Sequence, residues 1–148
     1  MTTCAFKIIQ IYSDRRGAEL ANQAARKLKQ EFDPSECEDS SWNTELLRSP
    51  KLRLQAAREA ADADLVIVAA DEGAPLSPEV RQWLELWARR KRRRRSTLVA
   101  LLRRRDHSVW HVFETTLHAF AVAAGMDFFC HSRVEAKNRR SSSKAVLR

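Results

Sequence analysis

Cysteine, glycine and tyrosine are scarce here: three, three and one in 148 residues. Cys4, Cys37 and Cys130 are widely spaced and form no Cys-x-x-Cys pair, so neither a disulfide framework nor a zinc site is expected. A reducing, cytoplasmic setting fits that usage. No apolar run approaches the roughly 18–20 residues that span a membrane. The stretch Met1 to Phe6 lacks both a charged start and an apolar core, so no secretory signal is expected. With glycine this rare, no glycine-rich phosphate loop of the Walker type is present, and each glycine must mark a particular place. Gly17, Gly73 and Gly125 all fall at expected element boundaries.

Acid is also missing from two stretches. Arg89 to Arg105 holds ten basic residues and no acidic one, and Lys137 to Arg148 holds five more. The remainder carries twelve basic against 19 acidic residues, so the net charge of +8 is local. The chain fits one domain with a real core, at 44% hydrophobic and 31% charged.

Apolar periodicity alternates between strand and helix. Cys4 to Ser13 reads as a central strand, followed by Ser13 and Asp14 as cap residues and a helix to about Glu31 with Leu20, Ala21, Ala24, Ala25, Leu28 and Phe32 on one stripe. Ser35 to Trp42 is expected as a short edge strand, its acids discouraging edge pairing. Asn43 to Asp62 reads as helix broken at Pro50, with Ser49 capping the restart. Leu65 to Ala70 is an all-apolar strand, and Ser77-Pro78-Glu79 starts the helix bearing Val80, Trp83, Leu84 and Trp87. Thr97 to Leu102, a helix from Asp106 or Ser108 to Ala124, and the strand Met126 to His131 complete the pattern. Five strands alternating with four helices imply one α/β domain over 1–134: three layers, a parallel sheet of order 2-1-3-4-5, and a crevice at the carboxyl ends of the first and third strands. Residues 135–148 are expected to form a basic, disordered tail.

The crevice loops carry the candidate site. Tyr12-Ser13-Asp14-Arg15-Arg16-Gly17 joins a strand to a helix N-terminus, where free N–H groups and the dipole favour an anion. Ser13 could donate to a phosphate, and Arg15 or Arg16 could add a charged bond. Asp14 and Glu19 oppose this, and the plainer reading has Ser13 or Asp14 capping the helix with the arginines solvated. Ser13-Asp14-Arg15-Arg16-Gly17 resembles the phosphate loop of NADPH-dependent FMN reductases, within the flavodoxin-like superfamily. The stretch from Ala63-Asp64 through Pro75 to the Trp83 helix is similar to that family's ring-binding region. The resemblance implies that Ser13, Arg15, Arg16 and Gly17 hold the FMN phosphate while Asp71, Glu72 and Gly73 border the ring. Ala18 replaces a loop serine, Asp71-Glu72-Gly73 lacks the family's aromatic, and Arg103-Arg104-Arg105-Asp106-His107 stands where that family has glycines. An altered site is therefore expected.

Other chemistries are less well supported. Asp14 and Asp71 lie where response-regulator receivers keep acids, but the hydroxyl after Leu102 and a lysine near His131 are missing. Glu79 and Glu85 match a TIR-type catalytic glutamate only unspecifically. His107, His111 and His118 have spacings around the last helix that no acid or cysteine completes into a metal site. That helix is apolar around a wide arc, which raises a homodimer through it. The basic run Arg89–Arg95 lies about 20 Å from Arg103–Arg105 along one strand, with no interleaved aromatics. The leading expectation is a non-catalytic binding or interaction module, receiving an anionic small molecule at the crevice. The alternatives are an FMN-dependent NAD(P)H reductase and a nucleic-acid-binding accessory protein using Arg89–Arg95.

Overall fold

A computed structural model describes residues 6–30, 37–71, 76–91, 96–104 and 111–134; at 70, 71, 103, 104, 111–113 and 132–134 it describes the backbone only. Five strands, β1 (Phe6–Tyr12), β2 (Cys37–Asn43), β3 (Leu65–Asp71), β4 (Thr97–Arg104) and β5 (Asp127–Val134), form one parallel sheet in the order β2-β1-β3-β4-β5. Helices α1 (Arg15–Lys29), α2 (Pro50–Ala61), α3 (Pro78–Ala88) and α4 (His111–Ala124) connect them, with a 3-10 turn at Thr44–Arg48. This is the expected flavodoxin-like order. Parallel strands covered on both faces carry near-continuous apolar runs, and Leu65 to Ala69 of β3 are all buried.

Helix starts follow their caps. Ser49 Oγ accepts the Leu52 N–H and Ser77 Oγ the Val80 N–H, each at 3.3 Å, with Pro50 and Pro78 beginning the helices behind them. Gly125 ends α4 in the left-handed region at φ +72°, and Met126 N–H reaches back to Ala121 O at 2.9 Å. The strand β5 runs past His131 to Val134, because its register with β4 continues through Arg104–Val134. The segment before Pro50 is a 3-10 turn capped by Asn43, not an α-helix. The expected α4 caps Asp106 and Ser108, the basic residues 92–95, and the tail 135–148 lie outside the described residues.

The two faces of the sheet are unequal. One holds α2, α3 and α4 over a core built around Trp42, Leu47, Trp83, Trp87, Leu98 and Leu117. Trp83 and Trp87 are both buried, edge to face at 5.5 Å, which places them in the core rather than at a ligand. The other face holds α1, whose Ala21 and Ala25 lie on Ile8, Ile67 and Ala69. On α4, Leu117 and Ala121 are buried while Val122 is 67% exposed.

Candidate functional site

The strands part where the fold places a crevice. β1 and β3 pair only from Ile8–Leu65 to Ile11–Val68, whereas β3 stays paired with β4 as far as Asp71–Arg103. This is the point at which strand order reverses, the usual position for a ligand in an open α/β sheet. Ser13, Asp14, Arg15, Arg16 and Gly17 gather on one side of it, and Asp71 ends β3 on the other. Glu72 and Gly73 lie outside the described residues.

Asp14 governs the start of α1. Its backbone is extended, and its Oδ1 accepts the Gly17 N–H at 2.8 Å while its carbonyl accepts Ala18 N–H at 3.0 Å. The side-chain bond satisfies one of the donors that a helix start leaves open, and the carboxylate faces the positive end of the helix dipole. Between the two cap residues expected from sequence, aspartate takes the role. Gly17 is buried, and a Cβ there would meet Asp14 Oδ1 at 3.2 Å, Tyr12 Cβ at 3.3 Å and Ala69 Cβ at 3.5 Å. Glycine therefore lets α1 approach β1 and β3 closely; its φ is not in the left-handed region. Ser13, Arg15 and Arg16 are exposed around this cap.

The backbones of two elements bring arginine positions to the same end of the sheet. Arg15 and Arg16 open α1, and Arg103 and Arg104 close β4. At the opposite end the expected basic run is partly structural. Lys91 Nζ donates to the carbonyls of Ala60 at 2.9 Å, Ala61 at 3.4 Å and Ala63 at 2.5 Å, capping the carboxyl end of α2, and lies 5.8 Å from the Trp87 ring centre. Arg89 and Arg90 are exposed. Sequence reading missed the role of Lys91; its one signal was a lysine standing alone in a run of arginines.

The amino end also holds a cavity of about 340 Å³, lined by residues including Lys7, Ile9, Ser40, Arg58, Glu59 and Asp62. Its polar groups serve the fold. Glu59 Oε1 accepts from Ser40 Oγ at 2.5 Å and from Trp42 Nε1 at 2.9 Å, and Lys7 Nζ meets Asp62 at 2.6 Å. Asp64 sits at this end too, its Oδ2 accepting the Lys7 N–H at 2.9 Å, far from the crevice. His118 stacks on Phe128 with centroids 4.9 Å apart, and no group of three metal-ligating side chains occurs among the described residues. No helix among them is long and apolar enough to cross a membrane.

No family model matches the sequence, and neither does any curated protein. Solved structures do resemble it in shape. The chain is similar to an NADH:FMN oxidoreductase in its apo form at 15% identity and a TM-score of 0.65, over 94% of this chain and 80% of that one. It is similar to a flavodiiron core from Synechocystis sp. PCC6803 (13% identity, TM-score 0.57, 90% of this chain and 32% of that one). Rubredoxin oxygen:oxidoreductase from Desulfovibrio gigas is alike at 17% identity and a TM-score of 0.57, over 93% of this chain and 33% of that one. The chain thus spans about a third of the latter two. At these identities the likeness establishes the flavodoxin-like fold and nothing finer.

Proposed function

We propose that this flavodoxin-like chain is a non-catalytic binding module whose carboxyl edge takes an anionic, phosphate-bearing partner, and that it does not hold FMN at the start of α1. The observation that carries this reading is the Asp14 carboxylate on the Gly17 N–H at 2.8 Å. A flavin phosphate held by the loop would need that same donor and would face a fixed negative charge. The absence of a side chain at Gly17 lets the helix start sit close against its cap, Tyr12 and Ala69. The residues present therefore do not fit the phosphate, even though the fold neighbours include an NADH:FMN oxidoreductase.

Arginine supplies the attraction instead. Arg15, Arg16, Arg103 and Arg104 share one end of the sheet, set by strand direction and by the first turn of α1. Such a group suits an extended polyanion lying across the edge better than one phosphate buried in the loop. Lys91 is committed to α2, which counts against Arg89–Arg95 as a continuous binding surface.

A labelled oligonucleotide serves as the polyanion probe, with anisotropy read against salt and FMN fluorescence read in parallel. Binding is expected to weaken with salt. Arg15→Ala and Arg16→Ala should each flatten that dependence, and Arg89→Ala should not. Saturable FMN quenching would restore the reductase reading. A slope that follows Arg89 and Arg90 would move the partner to the other end.

A further inference from the structure

α1 carries five basic residues, Arg15, Arg16, Arg26, Lys27 and Lys29, against one acid, Glu19. Helix stability explains only part of that placement. The last-turn cations face the negative end of the helix dipole and suit it. Arg15 and Arg16 instead occupy the first turn, with no acid beside them there, at the end that disfavours cations. Lys29 is committed to Asp39 of β2 at 2.6 Å. The other four are exposed, two at each end of the helix, and Glu19, Asn22 and Gln23 are exposed between them.

The same helix stands as a ridge. It turns Gly17, Ala21 and Ala25 inward, and among the described residues no second helix packs on that face of the sheet. A helix with its side chains is about 10–12 Å across, and the major groove of B-form DNA is about 12 Å wide. At a rise of ~1.5 Å per residue, Arg15 and Arg26 stand about 16 Å apart along the axis. Laid obliquely in the groove, such a helix brings its two ends to the phosphate rows that bound it. Its middle then meets base edges, where asparagine and glutamine pair with adenine and glutamate accepts from cytosine.

We propose that the outward face of α1 docks in the major groove of duplex DNA. Arg15 and Arg16 meet one phosphate row, Arg26 and Lys27 the other, and Asn22 and Gln23 the base edges. This rests on the anionic-partner reading above and carries it down α1 from the carboxyl end of the sheet. Asp14, at that end, is engaged with the Gly17 N–H. Other polyanions fit this face less well. α1 has no aromatic residue on which a single strand could stack its bases, and its apolar residues are buried or half-buried rather than free to enter a membrane surface. The major groove of duplex RNA is too narrow and deep for side chains to read.

The test is fluorescence anisotropy of the full chain with a labelled duplex DNA of random sequence, a matching duplex RNA and a single strand. Selection from the same random duplex pool follows, and far-UV circular dichroism shows that each variant is folded. Duplex DNA is expected to bind tightest. The double variant Arg26→Gln, Lys27→Gln should weaken it about tenfold or more and lower its salt dependence by about two phosphate contacts. Asn22→Ala with Gln23→Ala should keep the affinity for random duplex but lose the sequence that the wild type enriches. Duplex RNA or a single strand binding as well as duplex DNA overturns the proposal, as does a selection that enriches no sequence. Tighter binding to phosphatidylglycerol vesicles than to duplex also overturns it, and assigns the face to a membrane. Duplex binding that needs Arg15 and Arg16 but not Arg26 and Lys27 overturns this docking alone. Binding to no oligonucleotide overturns both this docking and the reading it rests on.

Discussion

One face of this sheet is covered by three helices and the other, among the described residues, by α1. On the three-helix face, two tryptophans, Leu98 and Leu117 fill the space, and their bulk allows α2, α3 and α4 to stand side by side. On the other, α1 comes in on alanine and glycine, with Gly17, Ala21 and Ala25 buried at its contact line. Large side chains build a thick core that holds several elements; small ones bring a single helix close to two strands. The close approach positions the start of α1 over the crevice, and the narrow footprint leaves Phe129 bare. Packing on one face thus sets what the site and the edge can do.

The comparison breaks most readily on the crowded face. Trp83→Ala should lower stability by about 3–5 kcal/mol, read by chemical denaturation, because the ring is wholly buried and its neighbours cannot all close in. A loss below 1 kcal/mol would show that α3 is not anchored there. On the α1 face, Gly17→Ala should cost about 1–3 kcal/mol, since the new methyl meets Asp14, Tyr12 and Ala69 at 3.2–3.5 Å. An unchanged midpoint would mean that α1 is free to move away from the sheet.

A third change sharpens the contrast by adding stability. Gln10 lies in β1 at 1% exposure, and its Oε1 has no partner among the described residues. Replacing it with the similarly long methionine removes a buried polar group whose unsatisfied state costs about 1–3 kcal/mol. Gln10→Met should therefore raise the denaturation midpoint, and a fall would show that the amide is bonded. The smallest effect belongs to the cap. Asp14→Ala should cost about 1 kcal/mol by thermal unfolding, the usual value of an N-cap.

The fold was legible because its signals are local and redundant. A β-branched run at Leu65 to Ala69, serine-proline starts at Ser49-Pro50 and Ser77-Pro78, and a lone glycine after Ala124 each admit one structural reading. The candidate site was legible in position, since strand order dictates where the crevice opens, but not in state. Serine, aspartate and two arginines before a helix serve equally to bind an anion or to cap, and only the 2.8 Å contact from Asp14 to Gly17 separates these roles. Roles that depend on partners distant in sequence stayed hidden. Lys91 reads as one more cation in a basic run until α2 folds back 28 to 31 residues away to present its carbonyls. Glu59 reads as a solvated helix residue until β2 brings Ser40 and Trp42 against it.

The central claim is that the chain's own carboxylate fills the anion position at the start of α1. The most direct test follows the Gly17 amide by nuclear magnetic resonance during titration with inorganic phosphate and then with FMN, in the wild type and in Asp14→Ala. The account predicts that the wild-type amide stays put with both ligands, and that removing the carboxylate lets phosphate shift it saturably. A saturable shift of Gly17 in the wild type would contradict the account and return the loop to flavin binding.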